Sequence, residues 1–231
     1  LAEAHSIAIE AGMRIGLYAD LAVGEAPDGS ALWSTREDYV AGATVGAPPD
    51  WFSSEGQEWG IVGLSPKALT RHEGTPFTSF VESLARHAGA LRIDHVMSLW
   101  QLFLIPDGLP PAKGAHIRYP LDRMIGELAG FSRSREVLVI GEDLGHVPPG
   151  FREIMRDARI FSYRILYFEE LNPGTFREES FPRESLACVS SHDLPTLAGW
   201  WRGDDIDLRL RYGLIGADNA GLQREERQGQ R

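Results

Sequence analysis

The chain has 231 residues, 43% of them hydrophobic and 24% charged, with a formal net charge of −10 at pH 7. This composition fits one large or two small globular domains. The acidic balance argues against a nucleic-acid partner, whose phosphates call for a basic surface. The single cysteine, Cys188, allows no internal disulfide and points to a reducing, cytoplasmic compartment. No run reaches the roughly 18–20 apolar residues of a membrane span, so no membrane partner is expected.

The chain opens on Leu1 without the basic, apolar and small-residue pattern of a signal peptide, as if mid-fold. Residues 1–12 read as an amphipathic helix ending at Gly12. Residues 14–23 read as a strand. Residues 24–66 are dense in Gly, Pro, Asp and Ser and read as a long loop insertion, a length that usually carries function. Residues 75–89 read as a helix with Thr75 as cap and Pro76 in the first turn. The apolar run 90–93 reads as a strand leading into Asp94. A second Pro- and Gly-bearing insertion, 105–119, precedes a helix at 120–129. A strand then leads to Glu142, a short helix runs from Pro149 to Met155, and a strand spans 162–169. A loop with Asn172-Pro-Gly174 leads to a strand ending at Asp193, and residues 194–201 turn into a helix. Gln223 to Arg231 is a polar tail, a frayed helix or disordered. The catalytic part is accordingly expected to span 1–222, insertions included, with 223–231 as tail.

Five strands separated by helices imply parallel βαβ units. The candidates are an open doubly wound sheet and a (β/α)8 barrel. Acids at successive strand ends favour the barrel, whose strands all deliver loops to one ring. An open sheet would normally show a glycine-rich phosphate turn, and no GxGxxG or GxxxxGK[ST] follows any strand. A whole barrel takes about 250 residues. The expected fold class is thus α/β, an incomplete TIM-type barrel of about strands three to seven with long loop insertions.

The chemistry lies in three carboxylates at strand ends. They are Asp94 in Ala90-Leu-Arg-Ile-Asp-His-Val96, Glu142 in Val137-Leu-Val-Ile-Gly-Glu-Asp-Leu-Gly145, and Asp193 in Ala187-Cys-Val-Ser-Ser-His-Asp193. Burying an acid is costly, so several at the same position suggest one shared site. Strand residues alternate sides, so Arg92 faces the same way as Asp94 and favours its ionised form. Glu142 shares a face with Ile140 and follows an apolar approach, which raises a carboxyl pKa. Two carboxylates with opposed environments suit glycoside chemistry, and a retaining mechanism needs them about 5–5.5 Å apart. Neighbouring strand ends, roughly 4.8 Å apart, can supply that spacing. The loop Gly46-Ala-Pro-Pro-Asp-Trp-Phe-Ser-Ser-Glu-Gly-Gln-Glu-Trp-Gly60 adds aromatic plates and hydrogen-bonding groups, which match sugar faces and hydroxyls.

The Asp94, Glu142 and Asp193 motifs and Gly46-Ala-Pro-Pro-Asp50, in this order and spacing, resemble the 4-alpha-glucanotransferases of the amylomaltase (disproportionating enzyme) family, bacterial type, over almost the whole chain. The resemblance implies an α-amylase-like barrel with no redox or metal cofactor. It implies Asp94 as nucleophile, Glu142 as general acid/base and Asp193 as a third carboxylate gripping sugar hydroxyls. Arg92 and His192 would contact the sugar at the cleaved end. Asp50 and the Pro48-Pro49 loop, with Trp59, would lie on the acceptor side. The partners would be maltooligosaccharide or starch- and glycogen-derived glucans, as donor and acceptor. The alternatives are an α-amylase-type hydrolase with the same acids and a non-catalytic glucan-binding piece.

Plainer readings stand beside these. Arg92–Asp94 can be a structural ion pair, and Glu142-Asp143 a charge pair at a helix start. Ser191-His192-Asp193 is not a triad, because consecutive strand residues do not fold onto one another. No second His or Cys lies near it at ligand spacing, so no metal is expected. Trp200 and Trp201 read as packing more than binding, while Trp51, Phe52 and Trp59 stand between the two. Asp20 and Glu169 also end strands, but no motif assigns them a step.

Overall fold

A computed structural model describes residues 1–50, 53–71, 74–169 and 181–229. Leu1–Ser162 and Tyr163–Arg231 form two compact units.

The first unit is built on parallel strands separated by helices. Helix α1 (Ala2–Glu10) precedes β1 (Tyr18–Leu21). The first insertion follows, carrying α2 (Ser30–Thr35), β2 (Ala43–Ala47) and β3 (Gln57–Glu58). Helix α3 (Pro76–Leu84) then leads to β4 (Ala90–Ile93). Strand β5 (Gln101–Pro106) then runs into the second insertion, which carries β6 (Ala115–Arg118). After it come α4 (Leu121–Arg135), β7 (Leu138–Gly141), α5 (Phe151–Asp157) and the start of β8 (Phe161–Ile165). Strand β4 lies between β1 and β7, both in parallel register, and Phe161 and Ser162 pair with Ile140 and Gly141. These are the rungs of an incomplete TIM-type barrel, and the described residues form no closed barrel.

Local chemistry accounts for the helices. Thr75 caps α3 by accepting the Thr78 N–H at 3.2 Å, with Pro76 in the first turn where its missing N–H costs nothing. Phe77 and Val81 of α3, Met124, Leu128 and Phe131 of α4, and Phe151 and Met155 of α5 are buried in one core with Leu91 and Val139. Strand residues alternate, so one face of the sheet packs on this helix layer while the other carries Arg92 and Ile140.

Several elements differ from the expectations. The two insertions are not plain loop. They contribute β2, β3, β6 and the end of β5 to a separate antiparallel sheet in the order β3-β2-β5-β6. Apart from β5 each strand is short, and it is long-range pairing that makes them strands. Helix α4 runs six residues beyond 129, through a polar segment, and ends with Glu136 in the left-handed region. Strand β8 gives way to a 3-10 turn at Leu166–Phe168 rather than continuing to Glu169.

In the second unit β9 (Ser185–Cys188) neighbours β8 and is followed by α6 (Leu197–Arg202), α7 (Asp204–Arg211) and α8 (Ala217–Gly229). Strand β9 ends five residues before Asp193, which sits in a turn. The Asn172-Pro-Gly174 loop lies outside the described residues. No helix among the described residues is long and apolar enough to cross a membrane.

Two glycines make opposite predictions. A Cβ on Gly46 of β2 would lie 2.1 Å from the Gln57 carbonyl oxygen of β3, a backbone atom that cannot step aside. Gly46→Ala is expected to lower the unfolding free energy of the full-length protein by about 1–3 kcal/mol. Gly126, within α4, has open space around its Cβ position. Gly126→Ala is expected to raise it by up to about 1 kcal/mol. Urea titration of both variants checks the contrast.

Candidate active site

The site grows from the register of three strands. Asp20, Arg92 and Ile140 are cross-strand partners on β1, β4 and β7, so they form one row on one face. Two residues further along, Asp94 and Glu142 start the next row on that face. The backbone ladder runs past the strand ends to hold them level. The Asp94 N–H donates to the Leu21 carbonyl at 2.9 Å, and the Glu142 N–H to the Ile93 carbonyl at 2.9 Å.

The difference between the two acids follows from what lies beneath each. Asp94 stands over Arg92, whose Nη2 donates to Oδ1 at 2.9 Å while Nη1 donates to Asp20 Oδ1 at 2.7 Å. The Arg92 side chain is only 8% exposed. Burial works against its charge, but the hydrogen bond to Asp20 and the charges of Asp20, Asp94 and Glu142 outweigh it and hold the guanidinium ionised. Glu142 stands over Ile140, with no cation directly below. Burial pushes its carboxyl above the ordinary range. The N–H groups of His95 and Leu144 pull it back, Asp94's charge pushes it up, and Arg92 pulls it back. The net shift is upward. Three carboxylates thus share one guanidinium, a surplus of negative charge that suits a cation forming above it.

Both Glu142 oxygens are held. Oε2 accepts the His95 N–H at 2.9 Å and Oε1 the Leu144 N–H at 3.0 Å. The next residue, Asp143, faces the other side and is wholly buried. It accepts from Arg152 Nε at 2.7 Å and from the Ser162 hydroxyl at 2.8 and 2.7 Å, fastening β7 to α5 and β8. Its place is structural, though not at the helix start the plainer reading expected, since α5 begins only at Phe151.

The first insertion reaches the site through Trp59. The Trp59 ring meets the His95 ring edge-on, centroids 5.3 Å apart, and the Trp59 Nε1–H donates to Gln57 Oε1 at 3.1 Å. Asp50 uses Oδ1 to accept the Ser53 N–H at 2.7 Å, closing a turn in the Pro48-Pro49 loop. Trp51 and Phe52 lie outside the described residues.

In the second unit His192 and Asp193 are highly exposed, 70% and 75% by side chain, and pair with each other at 3.3 Å. Expected on a strand, they occupy a turn, where alternation no longer forces them apart. That removes the conflict between strand pleating and a shared role. The turn is tied at its base: the Ser190 hydroxyl donates to the Pro195 carbonyl at 2.8 Å and the Tyr167 hydroxyl to the same oxygen at 3.3 Å. Tyr167 stacks on Trp200, and Arg227 lies over the Trp200 ring, so Trp200 packs. Glu169 pairs with Arg164 at 3.6 Å.

The structure therefore joins Asp20, Arg92, Asp94, the His95 N–H and Glu142 in one cluster and pairs His192 with Asp193 in another. Two members of the first cluster carried no assignment from sequence. Asp20 ends a strand as the other acids do, and that was its only signal. His95 gave none, since its part is played by its backbone. Among the described residues no three His, Cys, Asp or Glu side chains are grouped to hold a metal ion.

Fold and site define a partial (β/α) barrel with strand-end carboxylates of unequal character. The family model described as 4-alpha-glucanotransferase, glycoside hydrolase family 77, matches residues 1–230. A 4-alpha-glucanotransferase of Mycobacterium tuberculosis (strain ATCC 25618 / H37Rv) is 41% identical over 220 residues, covering 93% of this chain and 30% of the relative. One from Haemophilus influenzae is 37% identical over 209 residues, 90% of this chain and 30% of the relative. The crystal structure of amylomaltase from Corynebacterium glutamicum superposes with a TM-score of 0.91 at 36% identity, over 98% of this chain and 32% of that one. The chain belongs to the 4-alpha-glucanotransferase family, glycoside hydrolase family 77. It spans about 30% of the length of the curated relatives it matches.

The opposed environments give a titration prediction. Asp94's negative charge raises the Glu142 pKa, so Asp94→Asn removes that push and leaves the pull of Arg92. The Glu142 midpoint, followed by carboxyl carbon NMR, is expected to move to lower pH. A midpoint that stays or rises would show that the two acids are not electrostatically coupled.

Proposed function

We propose that this chain carries the acids of a retaining 4-alpha-glucanotransferase acting on maltooligosaccharides and on starch- or glycogen-derived glucans. The observation that carries the reading is the unequal pair: Asp94 braced by Arg92, and Glu142 buried over Ile140 with its carboxyl pushed up. A nucleophile must be ionised and held, and a proton donor must keep its proton near working pH.

In the first step a carboxylate oxygen of Asp94 attacks the anomeric carbon of an α-1,4-glucan. The bond to the leaving 4-oxygen breaks as that oxygen takes the Glu142 proton. The transition state is oxocarbenium-like, and the surplus of carboxylate charge favours it. Glu142, now ionised, then takes the proton from the 4-hydroxyl of an acceptor sugar. That oxygen displaces Asp94, which restores both the α configuration and the starting protonation. Arg92 keeps Asp94 oriented through both displacements. Asp193 and His192 would hold sugar hydroxyls at the cleaved end, and Asp50 and Trp59 would lie on the acceptor side. Transfer rather than hydrolysis requires that acceptor outcompete water, which a covering loop favours. A cytoplasmic setting belongs to this reading and is supported by the single cysteine.

Incubating the full-length protein with maltotriose tests the reading. The expected product is a ladder of longer maltooligosaccharides together with glucose; shortened products alone would make the protein a hydrolase. Asp94→Asn is expected to abolish the ladder, and activity that survived it would remove Asp94 from the nucleophile's place. Arg92→Lys is expected to lower kcat/KM by about a hundredfold or more, with a much smaller effect on unfolding. One ammonium cannot replace a planar fork that bridges Asp20 and Asp94.

A further inference from the structure

We propose that His95 is a positioning residue for Glu142: its left-handed backbone aims an N–H at the carboxyl. This rests on the reading of Glu142 as the acid/base.

The argument begins with the backbone. His95 has φ 45° and ψ 59°. The other non-glycine residues with positive φ among those described are Glu136 and Arg159. Both follow helices, α4 and α5, where a left-handed residue is an ordinary terminator. His95 instead follows the residue in the nucleophile's place, where nothing about chain termination calls for that conformation. An energetically unfavourable backbone held beside an active group points to a task. The task is visible in the hydrogen bonds. The His95 N–H donates to Glu142 Oε2 at 2.9 Å, and the next N–H, of Val96, donates to the Glu142 carbonyl at 3.0 Å. Two successive N–H groups of the turn after β4 therefore grip the residue after β7. The turn that carries Asp94 also sets where the Glu142 carboxyl lies.

The ring is half-buried and meets the Trp59 ring of the first insertion edge-on. Burial, with His116 of β6 adding a little, pulls its pKa down to about 4. The ring is therefore neutral over ordinary working pH and adds no charge to Glu142. The charges that face Glu142 are Asp94 and Arg92, with Asp20 behind Arg92. His116 faces the His95 ring, and His146 faces His116. What His95 transmits to the carboxyl goes through its backbone.

The experiment is the pH profile of kcat/KM for maltotriose in the full-length protein. Glu142 must be protonated to act on the donor, so the basic limb follows its pKa. An N–H donated to a carboxylate favours the ionised form, so losing it moves the limb to higher pH. His95→Val resists the left-handed region. It is expected to shift the limb upward and lower kcat/KM about ten- to a hundredfold. His95→Gly takes that region freely. It is expected to leave the limb in place with a smaller loss, although it has no ring at all. If the Val variant does not fold, His95→Ala is measured against Gly with the same expected direction. A limb that moves equally in the Gly and Val (or Ala) variants, or in neither, overturns the positioning role. Glu142→Gln separates the two ideas. If it keeps the basic limb, the acid/base reading fails and this inference with it. If it abolishes activity while the Val variant leaves the limb unmoved, the inference about His95 fails and the acid/base reading stands.

Discussion

One guanidinium organises this site. Arg92 is buried in the middle strand of three, with Asp20 level with it on one side and Asp94 two residues above on its own strand. A buried cation needs partners, and Asp20 and Asp94 supply two carboxylates. Asp94 gains a fixed orientation. Glu142, one strand over and above Ile140, takes its orientation instead from the N–H groups of His95 and Leu144. The two acids differ because of the row beneath them, and that row is set by strand register.

The rest of the architecture keeps this row in place. On the opposite face, Leu91 and Val139 pack into the helix layer, and Asp143 ties β7 to α5 and β8 through Arg152 and Ser162. Beyond the strand ends, the ladder continues as single hydrogen bonds from Asp94 to Leu21 and from Glu142 to Ile93. A slip of one residue in either pairing would send the acids to the other face. The first insertion adds a further contact, between Trp59 and His95. Its own fit depends on Gly46, where the Gln57 carbonyl leaves no room for a side chain.

Much of this was legible from the chain. Apolar runs ending in acids identified β1, β4, β7 and the start of β8, because a strand buried on one face and ending in a polar site has that pattern. Thr75-Pro76 marked the start of α3 correctly, since capping is local chemistry. The insertions were read as loops because β2, β3 and β6 are short and become strands only by pairing with residues far away. Asp193 was placed on a strand because Ala187-Cys-Val continues an apolar run, yet β9 ends at Cys188. Helix α4 outran its expected end because its last turns still satisfy their backbone groups, and Gly130 is carried within the helix rather than ending it.

The sequence by itself determined the parallel α/β class, the inventory of acids, and the pairing of Arg92 with Asp94, since these follow from periodicity and from residues two apart. Tertiary structure decided what crosses between strands. It put Asp20 beside Arg92, set Glu142 over an apolar residue, and brought the His95 N–H to the Glu142 carboxyl. It also took His192 and Asp193 off the strand and into a turn. Each of these rests on register or backbone conformation between segments distant in sequence. Such pairings are settled by the whole sheet and its core, and a local pattern holds no record of them.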